Sequence, residues 1–256
     1  MLTFTEAQLT AWLVPILWPF LRVLGLFTTA PVFSSRAIPV RARLGLAFMV
    51  ALSAQAVLPA VPLIAVDSPL ALGAVAQQVG IGMAIGFAAR LILAAIELAG
   101  ELVGLQMGLN YASFFDPISN AQASAVSRFF GTLATLLFVV INGHIAVLMA
   151  VIKSFEVFPI GGGLMDALMR VRVHELGAEL FSSALWIAMP MIGLLLFVNL
   201  MLGIISRVAP QMNIYAIGFP VTLTAGMAAI AWVLPMLESP LVALIDRMLA
   251  GFVGGR

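Results

Sequence analysis

From Pro69 to Asn110 the chain runs without an internal proline and with only three charged side chains between them, Arg90, Glu97 and Glu101. A continuous helix over this stretch would extend about 60 Å at ~1.5 Å per residue, roughly twice the hydrocarbon core of a bilayer. It cannot be an ordinary perpendicular span. Glu97 and Glu101 are one turn apart and Arg90 lies two turns before Glu97, so the three charges share a face. Charges deep in lipid are costly and normally face protein or water, so this face is expected to meet other protein. The same helix carries Gly82 and Gly86, then Gly100, Gly104 and Gly108, a repeated small-xxx-small spacing that lets helix backbones approach closely.

The rest of the chain is of the same kind. It is 63% hydrophobic and 9% charged, against about 45–50% and roughly 25% in soluble domains. Six long apolar segments can be marked, at 10–33, 44–64, 69–109, 126–152, 178–206 and 212–236. Backbone groups in lipid must bond within their own segment, and nothing shows the alternation of barrel strands. The expected fold is therefore all-α, an integral membrane-type arrangement of helical hairpins. A shorter stretch, 240–253, alternates apolar and charged positions and reads as an amphipathic terminal helix. The apolar material is spread over the whole length, which leaves no room for a separate soluble domain.

Without cysteine there is neither a disulfide framework nor a thiolate metal site. A net charge of +1 gives no sign of a nucleic-acid partner. The first charge, Glu6, is acidic and no basic region precedes the apolar run, so the first helix is expected to remain in the mature protein. If every segment crossed once, one side would carry Arg36, Arg41, Arg43, Arg128 and Arg207, and the other Lys153, Arg170, Arg172, Arg247 and Arg256. Positive charge therefore does not decide orientation, although the cluster "SSRAIPVRARLG" at 34–45 alone would favour the cytoplasmic side.

Several constellations can be weighed. "HELGAE" at 174–179 begins like a zinc-protease helix, but Ala178 stands where the second His is needed, so no metal is expected. His144 and Asn142 are polar groups inside an apolar segment, where the usual role is a hydrogen bond to a neighbouring helix. "GGG" at 161–163 has no following Lys-Ser/Thr and reads as a turn. Arg22 has apolar residues on both sides and requires a carboxylate or carbonyl from another helix or subunit; Glu97 and Glu101 are candidates. Pro210 disfavours helix at Ala209, so the fifth and sixth segments should form a tight hairpin. Its polar tip, with Arg207, Pro210, Gln211 and Asn213, suits contact with partners or headgroups. The stretch "GLNYASFFDPISNAQASA" at 108–125 is too polar for lipid and too aromatic for a plain linker, which suits irregular backbone lining a cavity.

Taken together, "FLRVLGLFTTAPVF" (20–33), "IPVRARLGLA" (38–47), "GELVGLQMGLNYASFFDP" (100–117) and above all "SRVAPQMNIYAIGFP" (206–220) resemble the flagellar biosynthetic protein FliR family. This is the R component of the type III secretion export gate, called the T component in injectisomes. Order, spacing and length agree over essentially the whole chain. The resemblance implies a non-enzymatic subunit without cofactors, in the bacterial inner membrane at the flagellar basal body. The implied partners are the export-gate P and Q subunits, the B switch protein, the A-type export ring component, unfolded export substrates and membrane lipid. It also implies one export-gate domain, with a P-like helical part over 1–177 and a Q-like hairpin plus terminal helix over 178–256. Within the P-like part, a plug loop about 105–122 would occupy the closed pore, with Gln106, Met107, Asn110, Tyr111, Phe114, Phe115, Asp116 and Pro117 as its sealing residues. Energy from ATP or a proton gradient would come from partners, since this chain has no nucleotide motif.

Two other classes remain open on the residues alone. A small-solute transporter would use Arg90, Glu97 and Asn142 along a substrate path, but transporters usually show internal repeats and none is convincing here. An intramembrane enzyme would need a nucleophile with its base, or a metal set, and neither is visible.

Overall fold

In the computed structural model of this chain, residues 6–58, 64, 68–109, 124–211 and 214–254 are described. They form helices and connecting turns, with no strand among them. In chain order the helices are α1 (Glu6–Thr29), α2 (Val40–Gln55), α3 (Pro69–Gln106), α4 (Ala125–Val140), α5 (Gly143–Val157), α6 (Leu164–Val171), α7 (Val173–Val208) and α8 (Ile214–Val233). A 3-10 turn (Leu234–Met236) then leads into α9 (Glu238–Val253).

Among the described residues, four stretches are long and apolar enough to cross a membrane: Trp12–Thr29, Pro69–Gln106, Met169–Val208 and Ala216–Met236. The pair α4 and α5 adds a fifth if the two are one broken span. This is fewer than the six apolar segments marked in the sequence. Among the described residues, the second of them contributes α2, of 16 residues, about 24 Å at ~1.5 Å per residue. It starts earlier than hydropathy suggested, at Val40 after the N-cap Pro39, whose carbonyl accepts the Arg43 N–H at 3.1 Å, and so includes Arg41 and Arg43.

The third segment is one helix of 38 residues. It ends at Gln106, short of the expected 109. Gly108 adopts φ +80, its N–H bonds to Leu105 O at 3.1 Å, and the N–H of Leu109 bonds to Gly104 O at 3.2 Å. In this Schellman arrangement a left-handed glycine turns the chain out of the helix. Gly108 therefore closes α3.

The fourth segment breaks at Asn142, which is left-handed at φ 59 and ψ 27, a conformation Asn tolerates better than most residues. Asn142 is thus the break itself and not a polar group within a helix. The Nδ1 of His144 is buried without a hydrogen-bond partner among the described residues.

The chain divides into two compact units. The first takes in Met1–Leu91, Asn142–Gly177 and Ile245–Arg256. Its core is built on α1, which buries Val14, Trp18, Val23, Leu26 and Phe27, with Ala30 buried just past its end. α2 packs on α1 and buries Ala47, Ala51 and Ala54, a stripe at helical spacing that permits close approach. Val14 and Trp18 pack with Ala71 and Ala74 of α3, flanked by Leu21, Ile64 and Ile160. Phe158, just past α5, meets Phe252 of α9 with ring centroids 6.4 Å apart. The "GGG" segment is an ordered turn with Gly161 at φ +90 and Gly163 at φ +83.

The second unit takes in Ile92–Ile141 and Ala178–Leu244. α4 is capped by Ser124, whose Oγ accepts the Ser127 N–H at 3.0 Å, and it buries one face through Val126, Phe130, Ala134 and Phe138. α7 and α8 lie side by side. Trp186, Pro190 and Leu194 of α7 share a cavity of about 430 Å³ with Ala229 and Trp232 of α8. At the other end of the pair, a Cβ on Gly218 would lie 3.9 Å from Leu202 Cδ1.

Candidate functional site

Arg22 lies on α1 within one of the span-length apolar helices and is fully buried. Each guanidinium nitrogen donates a hydrogen bond: Nε to Gln78 Oε1 at 2.8 Å, Nη1 to Ser154 Oγ at 2.8 Å and Nη2 to the Phe158 carbonyl at 2.7 Å. Its Cζ sits 3.6 Å from the centroid of the Phe155 ring, the range of a cation–π contact. A carbonyl was the correct kind of partner, but Glu97 and Glu101 are not among the partners. Phe158 caps α5, so the cation meets carbonyl density at a helix C-terminus and the face of a ring, both of which favour positive charge.

The adjacent Gln77 continues the same clamp. Its Nε2 donates to Pro159 O at 3.1 Å, and its Oε1 accepts the Gly161 N–H at 3.0 Å. α1, α3, α5 and the turn after α5 are thereby tied together by one cation and two amides. Gln77, Gln78 and Ser154 were not singled out from the sequence. The available signal was the Gln-Gln pair inside an apolar helix, where a polar side chain with no partner is expensive.

The glycines of α3 mark two different contacts. Within the first unit, a Cβ on Gly82 would fall on the Arg22 carbonyl oxygen and 2.9 Å from Leu26 N. One on Gly86 would meet Thr29 Oγ1 and lie 2.8 Å from Ala30 N. Within the second unit, a Cβ on Gly100 would lie 2.9 Å from Phe130 Cβ and Cγ, and one on Gly104 would lie 3.1 Å from Ser124 Oγ.

Gly104 is also where the 110–123 segment begins and returns. Its carbonyl accepts the Leu109 N–H on the outgoing side, and its Cα face meets Ser124 on the incoming side. Glu101 Oε2, one turn earlier, accepts the Ser124 N–H at 3.3 Å. Met107 is fully buried beside this base, with its thioether against Gly226 of α8 and its carbonyl accepting from Thr222 Oγ1 at 3.3 Å. Gln106 beside it is half-buried. Asn110, Tyr111, Phe114, Phe115, Asp116 and Pro117 lie outside the described residues, as does Asn213.

Arg90 and Glu97 are exposed and Glu101 is half-buried. Arg207, Pro210 and Gln211 are exposed at the end of α7, where Ala209 N–H still bonds to Ile205 O at 2.8 Å before Pro210 interrupts the pattern.

The described residues are helical, include several span-length apolar helices and bury Arg22, which defines a multi-span membrane-type protein. Residues 13–248 match the family described as bacterial export proteins, family 1. The chain is 41% identical over 239 residues to the flagellar biosynthetic protein FliR of Escherichia coli, covering 93% of this chain and 90% of that protein. It is 39% identical to the protein of the same name from Pectobacterium carotovorum, with the same coverage. For that of Buchnera aphidicola from Acyrthosiphon pisum the identity is 32%, covering 97% and 96%. The chain belongs to the flagellar biosynthetic protein FliR family.

Proposed function

We propose that this chain, a component of the flagellar export apparatus, is the R-type subunit of the export gate. It helps nucleate a closed helical assembly with P and Q subunits in the bacterial inner membrane, next to the B switch protein and the A-type export ring component. Unfolded flagellar proteins are its cargo. Residues 1–177 supply the P-like part and 178–256 the Q-like hairpin with its terminal helix, whose tip at Arg207, Pro210, Gln211 and Asn213 contacts a partner. The segment 105–122 is a reversible seal.

The observation that supports the seal is the shared base of the loop. Both ends of 110–123 meet at Gly104, and Met107 is seated on α8 beside them. A loop pinned at one point can fill a lumen with its aromatic residues and still swing aside without unravelling the helices that carry it. Asp116-Pro117 suits a turn at the tip. Aromatic bulk from Tyr111, Phe114 and Phe115 closes the path, while Ser113, Asn120 and Gln122 tolerate water when it opens.

Deleting residues 110–120 tests this. The gate is expected to assemble with ion permeability well above that of the intact chain, measured as conductance of membranes carrying the complex. Unchanged permeability in an assembled complex would end the plug assignment.

A further inference from the structure

A groove of about 390 Å³ runs along α3 and α4 in the second unit, lined by Glu97, Ser127, Arg128, Gly131, Thr132 and Thr135. Its hydroxyls have already given up their hydrogens. Ser127 Oγ donates to Glu97 O at 3.0 Å, Thr132 Oγ1 to Arg128 O at 2.9 Å, and Thr135 Oγ1 to Gly131 O at 2.9 Å. A hydroxyl that has donated its one hydrogen has only acceptor capacity left.

The Glu97 side chain lies over Gly131, where a Cβ would come within 2.7 Å of its Oε1. Its carboxylate has no hydrogen bond or ion pair among the described residues, whereas Arg128 at the rim is itself engaged. The groove therefore carries a surplus of acceptors and one unpaired carboxylate, on a helix whose apolar 18-residue window has mean hydropathy 2.1. An unpaired charge in such a setting costs several kcal/mol against lipid. Acyl chains offer no donor. A guanidinium or ammonium offers only donors. The floor is Gly131 with short hydroxyl side chains around it, which lets the backbone of another helix come close, as a lipid headgroup does not require.

We propose that this groove is a subunit interface, and that its occupant is a helix of a neighbouring membrane protein presenting one Arg or Lys to Glu97. The identity of the neighbour as another gate subunit rests on the reading given under Proposed function.

Photo-cross-linking in intact cells tests it. p-Benzoylphenylalanine is placed at Thr132 in the full chain, the complex is recovered through an affinity tag, and the cross-linked peptide is mapped by mass spectrometry. The adduct is expected within one helical turn of a Lys or Arg on a small helical membrane protein. It should fall at least about tenfold in Glu97→Lys and return when the mapped basic residue is changed to Glu. Glu97→Gln, which keeps the shape, should lower it less.

An adduct to lipid, an adduct mapped far from any basic residue, or an adduct indifferent to Glu97→Lys would overturn the proposal. If the complex co-purifies but Thr132 gives no adduct, the groove proposal fails and the export-gate reading stands. If no other subunit co-purifies with the intact chain, that reading fails and the proposal with it.

Discussion

Gly82 and Gly100 sit on one helix at the same small-xxx-small spacing, yet they rest on different things. Gly82 lies against main chain, where a Cβ would be 2.9 Å from Arg22 C and Leu26 N; one on Gly86 would meet Thr29 Oγ1 first and then main chain, 2.8 Å from Ala30 N and Leu26 O. α1 repeats the arrangement in the other direction, since a Cβ on Gly25 would be 2.5 Å from Val79 O. A Cβ on Gly100 would meet Phe130 Cβ and Cγ at 2.9 Å and Ser127 Cα at 3.0 Å, whereas one on Gly104 would have Ser124 Oγ at 3.1 Å and its next neighbours at 3.5 Å or beyond. Main chain and Cβ atoms can yield only if a helix moves, whereas a hydroxyl such as Ser124 Oγ can rotate away. α3 is therefore locked to its neighbour at Gly82, whereas its contact at Gly104, next to Leu109 and Ser124, is adjustable. The buried Arg22 cluster belongs to the locked end, where its three bonds need fixed distances.

The largest expected effect comes from breaking the lock. Gly82→Ala drives a methyl into the Arg22 carbonyl, so α1 and α3 must separate. Overpacking costs about 1–3 kcal/mol or more, and here the separation also disturbs the Arg22 bonds. Accumulated folded protein, followed by size-exclusion chromatography of a fluorescent fusion in detergent, should fall by about tenfold or more. Near-normal accumulation would mean the crossing is looser than described.

Arg22→Met should come next. It leaves the Phe158 carbonyl and Gln78 Oε1 buried without their donor, at roughly 1–3 kcal/mol for each unmet partner. Lysine restores the charge but not the three-pronged fork, so midpoints of thermal unfolding in detergent should run wild type, Arg22→Lys, Arg22→Met in descending order. Arg22→Lys matching wild type would show that charge alone holds the cluster.

The sequence made the all-helical class, the overlong third helix and the α7–α8 hairpin readable, because each depends on apolar run length and on where proline falls. Arg22 stood out for the same reason, as a cation among apolar residues. Its partners did not. Gln78, Ser154 and Phe158 are 56, 132 and 136 residues away, and one of the acceptors is a backbone carbonyl, which no side-chain identity reveals. Glu97 and Glu101 were attractive as partners only because opposite charge is the visible pairing rule. Gly108 has a role that spacing did not reveal: the interval placed it with Gly100 and Gly104, and its φ of +80 makes it the helix stop. Asn142 likewise looked like a helix residue until its left-handed backbone made it a break.

The smallest expected effect on stability is also the one aimed most directly at the adjustable end. A Cβ on Gly226 would meet Met107 at 2.5 Å from Cγ, 2.6 Å from Sδ and 2.7 Å from Cε. These are atoms of a flexible thioether that can swing away, so Gly226→Ala should cost under about 1.5 kcal/mol and leave accumulation and complex formation near normal. Met107 nevertheless sits one residue before Gly108, and its carbonyl is bonded to Thr222, so displacing it tilts the base from which the loop departs. A partial ion leak, smaller than that of the 110–120 deletion, is expected in assembled complexes. Met107→Ala makes room for the added methyl, so the double variant Gly226→Ala with Met107→Ala should leak less than Gly226→Ala alone, a coupling that two independent sites would not show. A silent Gly226→Ala beside a leaking deletion would mean that the loop seals through its own side chains, whatever the tilt of its base.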